Sequence, residues 1–439
     1  MRTQVEDISA VKKRLVVEID AAEVDKELNE AYKRLGKTTK LPGFRPGKIP
    51  RTVLESYFGR QVREDVARDL INHTISEALN EAQTFPIGAP ILEKEDLKPG
   101  EGFQYSAVME VRPVIQLPEY EGIEVQKEVL QVTDQDVENQ LERIRQGNGK
   151  LKTIEEDRAI QTGDYAVVDY EVYDGEAPVE GFAATDAVIK VGTHEFDAVV
   201  EDALVGVRKG EEKGVTVHFG DHHPRVDLAG KDVLFKVHVK ELKFLDLPVV
   251  DDAFVEGLGA DFKTVDELKA KIREEIRTAE ERRIDQELKQ RLIEKIAEKV
   301  EVELPPVLVE SELEMRIENL KQSLKRSGAD PEQAGLTDDR MRVDLRPVSE
   351  KRVKNMLILG DIAREKGLKV EEEDLEEHFA SLAASTGQDA AILRRYYEAR
   401  ELLDGLRQQL LEEKTLKYLV EHARILEVER SVLTGNAAK

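Results

Sequence analysis

Gly43-Phe44-Arg45-Pro46-Gly47-Lys48-Ile49-Pro50 organises the reading of this 439-residue chain. Glycine permits positive φ and proline locks φ near −65°, so two of each in eight residues specify a turn-rich loop. The loop holds out one aromatic, Phe44, between two cations, Arg45 and Lys48. That arrangement is poor for a core and suited to docking: the ring can stack or wedge while the cations pair with phosphates or carboxylates. Working outward, Leu15, Val17 and Ile19 alternate with polar residues as a half-buried strand does. Asp20 is placed to cap a helix, with Glu23 at the capping-box position, and Val24, Leu28 and Leu35 form its apolar stripe. Beyond the loop, Pro50 suits a helix start, and Val62, Val66 and Leu70 continue at helical spacing until Pro86 forbids more. Phe103, Tyr105, Ala107, Met109 and Val111 then alternate strictly. The prediction is two strands enclosing a helical hairpin with the Phe44 loop at its tip.

Composition narrows the function. The formal net charge of −25 argues against generic nucleic-acid binding. Yet Lys33, Arg34, Lys37, Lys40, Arg45, Lys48, Arg51 and Arg60 gather around the loop against Glu55, so a basic tip sits on an acidic body. The chain has no cysteine, which excludes disulfides, thiolate metal sites and thiol nucleophiles and suits the cytoplasm. Residues 1–15 lack the apolar core of a signal peptide, and no apolar run reaches membrane length, so no membrane partner is expected. Charged residues at 36% with aromatics at 5% indicate long helices with much solvated surface.

Residues 113–155 read as a connector that positions domains without a core of its own, with a short helix capped by Thr133 or Asp134 and stopped by Gly147-Asn148-Gly149. Residues 156–245 alternate repeatedly: Val168, Tyr170 and Val172; Val215, Val217 and Phe219; Phe235, Val237 and Val239. Asp174-Gly175 marks a tight turn between strands. From 246 the period turns helical, with stripes such as Val265, Leu268, Ile272 and Ile276, and Val309, Leu313, Ile317 and Leu320. Gly328–Gly335 reads as a loop, and the last residues, 433–439, as a fraying tail. Periodicity is equally consistent with a fully buried bundle and with helices that leave apolar patches open.

The Phe44 loop, continued by Arg51, Val53, Leu54, Tyr57, Phe58 and Gly59, resembles the ribosome-docking signature of the trigger factor family, bacterial chaperones that meet nascent chains at the tunnel exit. Leu204-Val205-Gly206-Val207-Arg208-Lys209-Gly210-Glu211 and Leu228-Ala229-Gly230-Lys231 resemble framework turns of FK506-binding-protein (FKBP)-type prolyl isomerases. Leu247-Pro248-Val249-Val250-Asp251-Asp252-Ala253-Phe254 is similar to the family's junction into its helical domain. The resemblance implies an α+β multidomain fold. Its parts are an N-terminal α+β ribosome-binding domain (1–112), a linker (113–155), an FKBP-like antiparallel β domain with a helix (156–245), a large all-α C-terminal chaperone domain with arms (246–432) and a flexible tail (433–439). It implies a cytoplasmic protein that docks on the ribosome (exit-rim protein and rRNA) through Gly43, Phe44, Arg45, Gly47 and Lys48, and binds unfolded nascent polypeptides over a broad surface. No cofactor, metal or DNA is implied. Exposed apolar patches would also suit pairing of free copies into a homodimer. A free folding enzyme acting mainly as a prolyl isomerase and a helical scaffold without clients are the competing readings.

Prolyl isomerisation needs no nucleophile or metal. A twisted amide loses resonance and polarity, so a dry aromatic bowl favours it over the planar form. By resemblance, Tyr170 and Phe235 match two bowl aromatics. Val179 stands for a wall Phe, His223 for a wall Tyr, Asp197 for an apolar floor residue and Val200 for the floor aromatic. These four substitutions predict weak or absent activity, since a carboxylate in the bowl resists dehydration. The alternative is that Phe182 or Phe196 fills the bowl. His194, His218, His222, His223 and His238 read as ordinary surface or loop residues.

Overall fold

A computed structural model describes residues 1–42, 44, 48–179, 181–220, 228, 230–259, 262–327, 336–430 and 433. In chain order the elements are β1 (Arg2–Asp7), β2 (Lys12–Ile19), α1 (Ala21–Thr38), α2 (Arg51–Glu81), β3 (Ile91–Lys94), β4 (Phe103–Glu110), β5 (Glu124–Glu128), α3 (Asp134–Gly147), β6 (Lys150–Thr153), β7 (Tyr165–Asp174), β8 (Ala177–Pro178), β9 (Ala184–Lys190), α4 (Ala198–Leu204), β10 (Glu212–His218) and β11 (Asp232–Asp246). Helices follow: α5 (Asp252–Gly257), α6 (Val265–Glu298), α7 (Pro306–Arg326), α8 (Asp338–Lys366), α9 (Glu372–Thr386), α10 (Ala390–Ala399) and α11 (Leu403–Glu421), then β12 (Arg424–Val428). The chain divides into two compact units. One comprises Met1–Ile123, Arg291–Leu320 and Asp338–Arg424; the other comprises Glu124–Gln290, Lys321–Thr337 and Ile425–Lys439.

In the first unit, an antiparallel sheet of order β1-β2-β4-β3 sets Leu15 opposite Ala107, Val17 opposite Tyr105 and Ile19 opposite Phe103. These residues share one face, which the α1–α2 hairpin covers with Val24, Leu28 and Tyr32 from α1 and Leu54, Val62, Val66 and Leu70 from α2. Each such side chain contributes roughly 1.5–3 kcal/mol on burial. Two local expectations changed in detail. Asp20 holds the N-cap position of α1, but its side chain makes no cap bond and lies 3.3 Å from the Met1 amino group. Pro50 is the residue before the first turn of α2, and its carbonyl accepts from Val53 and Leu54. Inside this core the Tyr105 hydroxyl lies 2.8 Å from Thr74 Oγ1. Thr74→Val removes that partner while keeping shape, so it should cost about 1–3 kcal/mol, as a buried hydroxyl left without a bond does. Chemical denaturation with hydrogen exchange across residues 1–112 would measure it.

Helices of this unit bury apolar stripes of their own. Leu375 and Phe379 of α9 and Leu406 of α11 make one cluster, joined by Leu393 and Tyr397 of α10. Segment 113–123 is anchored here: Tyr120 donates to Glu365 at 2.6 Å, and Glu121 accepts from Tyr418 at 2.6 Å and from Lys366 at 2.6 Å.

The second unit contains a six-stranded antiparallel sheet in which β11 is flanked by β10 and β7, with β6 also on β11 and β8 and β9 on β7. α4 covers its apolar face, Val200 and Leu204 joining Val168, Val217, Val237 and Val239 in the core. The Asp174-Gly175 turn is found, with Gly175 at φ +64° and Asp174 paired with Ala177.

The connector expectation is corrected here. Of the two expected caps, Thr133 caps α3, in a reciprocal box with Asp136, but Val137 and Leu141 of this helix form a core with Val255, Leu268 and Ile272. β6 belongs to the sheet, where Leu151 faces Leu245. Gly149 allows this approach, since a Cβ there would lie 2.7 Å from Leu245. The helical spacing of Val137 and Leu141 already marked an apolar face, and such a face is stable only when covered. Gly328–Gly335, His222, His223 and residues 434–439 lie outside the described residues.

Candidate functional site

Two places bring the sequence-derived residues together. The first is the end of the α1–α2 hairpin. Phe44 is 39% exposed and Tyr57 is 69% exposed, whereas Phe58 and Ile49 turn inward onto the core. Gly43, Arg45 and Gly47 lie outside the described residues. Of the surrounding cations, Arg51 is engaged by Glu55 at 2.6 Å and by Asn29, with its guanidinium 5.2 Å from the Tyr32 ring centre. Arg60 pairs with Glu64 at 3.0 Å. Lys33, Arg34, Lys37, Lys40 and Lys48 are exposed, and among the described residues no carboxylate stands within ion-pair distance of them. A cleft of about 430 Å³ between the helices is lined by Lys33, Lys37, Ile49, Arg51 and Leu54. An exposed ring beside unneutralised lysines offers an acidic or phosphate-bearing partner both an apolar and a charged contact.

The second place is an aromatic bowl on the β domain. Tyr170 from β7 and Phe235 from β11 stand with ring centres 6.1 Å apart. Phe196, from the loop before α4, meets Tyr170 edge-on at 5.4 Å and Phe235 at 6.2 Å. Phe219 lies 6.5 Å from Phe235, and Phe182 lies 6.4 Å from Phe219. Such edge-to-face pairs are favourable because the positive ring edge meets the negative ring face. Val200 of α4 is fully buried in the same cluster, and Val179 is half-buried against it. The Asp197 carboxylate is the N-cap of α4 and accepts from Val199 at 2.9 Å and Val200 at 3.2 Å. His223 lies outside the described residues. Tyr170, Phe235, Val179 and Val200 fall in or against one cluster, whereas the Asp197 carboxylate, expected inside the bowl, is instead engaged by two backbone N–H groups at the start of α4. Phe219 was read only as one position of an alternating strand; an apolar residue just past the end of β10 was the signal available.

Two buried carboxylates tie down backbone in this domain. Glu201 of α4 is fully buried, and its oxygens accept from Gly192 at 2.9 Å, Thr193 at 3.0 Å, His194 at 2.7 Å and Phe196 at 2.8 Å. Asp164 takes a two-pronged pair from Arg158, at 2.6 and 2.8 Å, and a bond from the Gln161 N–H. Burial pushes both carboxyls up, but the N–H donors prevail and hold both below the ordinary carboxylate range. A depressed folded-state pKa contributes stability that is fully present above the unfolded-state value of about 4 and is lost as pH falls through the folded-state value. Hydrogen exchange of the intact chain should therefore show protection over residues 158–204 steady above about pH 5 and declining below about pH 4.

The helical region offers a third kind of surface. α10 has no buried residue: Leu393 and Tyr397 face α9, the latter with its ring 5.4 Å from Phe379, while Ile392 is 63% and Tyr396 54% exposed. Among the described residues, no helix is long and apolar enough to cross a membrane.

Known proteins match this chain over nearly all of its length. Residues 1–144 match the family described as "Bacterial trigger factor protein (TF)", and residues 264–421 match "Bacterial trigger factor protein (TF) C-terminus". The chain is 33% identical to a trigger factor of Geotalea uraniireducens (strain Rf4), over 98% of this chain and 100% of that one. The chain belongs to the trigger factor family. Similar relatives include trigger factors of Syntrophotalea carbinolica, 35% identical over 99% of this chain and 98% of that one, and Halothermothrix orenii, 33% identical over 96% and 99%. A solved structure concerned with promiscuous substrate recognition in folding and assembly activities of the trigger factor chaperone aligns at a TM-score of 0.50 and 24% identity, covering 96% of this chain and 99% of that one, which supports the shared trigger factor fold. The mixed multidomain fold expected from the sequence is therefore the trigger factor fold, with sheets in its N-terminal and central parts and helices towards the C-terminus.

Proposed function

We propose that this chain is a cytoplasmic, ribosome-associated chaperone that meets unfolded nascent polypeptides at the tunnel exit. The observation that carries this reading is the hairpin end, where an exposed Phe44 accompanies exposed lysines that have no acidic partner among the described residues. Phe44, Arg45 and Lys48 would make the contact, with Gly43 and Gly47 shaping the turn. The partners would be an exit-rim protein and rRNA phosphates. The acidic remainder of the chain would stay off the RNA, because like charges repel and the attraction is confined to the tip. The proposed modules remain 1–112 for docking, 156–245 for isomerisation and 246–432 for client contact, joined by 113–155 and ended by 433–439. Exposed Ile392 and Tyr396 support weak, distributed client binding, which suits promiscuity because no single pocket demands one sequence. The same exposed faces support pairing of free copies.

The β domain is proposed to act as an FKBP-type prolyl isomerase of low activity. Tyr170, Phe235 and Phe196 keep part of an aromatic lining, while Val200 and Val179 leave it thinner than a fully aromatic bowl. Two assays on the full chain test these readings separately. Co-sedimentation with ribosomes at moderate salt should show binding that weakens as salt rises, and no pelleting at low salt would refute the docking role. A short X-Pro peptide should isomerise faster with the protein than without it, and more slowly than with an intact-bowl relative. A rate equal to the uncatalysed one would refute enzymatic activity, and a rate equal to the relative's would refute the thinned bowl.

A further inference from the structure

Val200 takes the floor position that resemblance assigns to an aromatic, and the structure brings a different ring, Phe196, against Tyr170 and Phe235. What holds that ring in place is not its own packing alone, since Phe196 is only half-buried. Its backbone belongs to the turn 192–196, which curls so that four N–H groups converge on one point. Gly192 at φ +91° and His194 at φ +57° supply the left-handed steps. A non-glycine residue rarely adopts such a φ, and it persists where surrounding contacts impose it. Converging N–H groups of this kind form an anion-binding concavity. Here the anion is internal: Glu201 Oε2 receives Gly192, Thr193 and His194, and Oε1 receives Phe196 itself. Gly192 is tied from outside as well, because a Cβ on it would lie 2.4 Å from Thr162 Cγ2. Asp197, next in sequence, is occupied in capping α4, so the Glu201 and Asp197 carboxylates are both spent on backbone.

We propose that Glu201 is a positioning residue for the aromatic bowl: its buried carboxylate fixes the 192–196 turn and thereby seats the Phe196 ring as the replacement floor. The proposal rests on the isomerase reading of this domain, and its test separates the two. In the full chain, Glu201→Gln keeps size but replaces one acceptor oxygen with an NH2 group, so one or more of the four amides loses its acceptor. Amide exchange should accelerate at 192–196 at least tenfold, and the NOE between the Phe196 and Tyr170 rings should weaken, while strands β7 and β11 stay protected. With the X-Pro peptide, kcat should fall roughly tenfold or more with little change in KM, since a displaced floor affects the twisted amide more than peptide capture. Phe196→Ala in the wild-type Glu201 background should lower kcat comparably while leaving exchange at 192–194 slow, and the double variant should lose little more than either single one. An unchanged ring NOE and unchanged amide exchange in folded Glu201→Gln would overturn the positioning role whatever the wild-type rate. Wild-type-like turnover by Phe196→Ala would overturn the floor assignment even if Glu201→Gln fails to fold. A wild-type chain without catalysis would instead sink the isomerase reading, leaving the exchange and NOE results to decide the positioning claim.

Discussion

A chain carrying Phe44→Ala, Arg45→Ala and Lys48→Ala is expected to lose ribosome co-sedimentation while remaining folded. Phe44 contributes little to the core: it is 39% exposed, and the residues that secure the hairpin are Tyr32, Leu54 and Leu28 instead. Truncating an aromatic anchor at an interface typically costs about 2 kcal/mol or more. Removing two cations also removes charge-assisted contacts and the early electrostatic attraction, so the combined loss should reach roughly a hundredfold or greater in affinity. Ribosome pelleting over a salt series, beside far-UV circular dichroism, measures both halves of the expectation. The variant should also show a shallower salt dependence than the parent, because fewer counterions are exchanged. Equal pelleting of the two chains would mean that the exposed lysines of α1, not the loop, carry whatever affinity exists.

Phe235→Ala should have the largest effect on the β domain. Phe235 is 3% exposed, lies on β11 opposite Val215 and Val172, and touches the rings of Tyr170, Phe196 and Phe219. Truncation therefore opens a cavity and breaks the bowl together, at a cost of about 3–5 kcal/mol for a buried aromatic. A single melting temperature is not informative for a chain of several cooperative parts, so hydrogen exchange confined to residues 156–245 of the intact protein is the suitable readout. Protection there should collapse while the 1–112 region is unchanged. Tyr170→Ala, at a half-buried rim position, should cost less stability and still reduce turnover. A Phe235→Ala chain with native protection would contradict the core placement of that ring.

Much of this could be read in one dimension. The alternation Leu15-Val17-Ile19 and Phe103 to Val111, the stripe Val24-Leu28, and the turn chemistry of 43–50 are local patterns. Their physical causes, the two-residue strand period, the helical repeat and the φ limits of glycine and proline, act within a few residues. The bowl was legible as a set of positions but not as a surface. Phe196 and Tyr170 are separated by two strands, β8 and β9, with the turns that join them, and the pairing of β7 with β9 and β11 brings their rings within 5.4 Å.

The sequence by itself determined the family, the mixed architecture and a basic tip carried by an acidic chain, because those follow from residue order and charge. Tertiary structure alone decided which groups are satisfied and by whom. It paired β12 with β5 across some three hundred residues, turned Asp20 away from its cap and gave the expected connector helix α3 a core of its own. It also placed one buried glutamate at the focus of four backbone N–H groups. Burial, ring contact and hydrogen-bond convergence depend on residues remote in sequence arriving at one point, and no periodicity encodes that meeting.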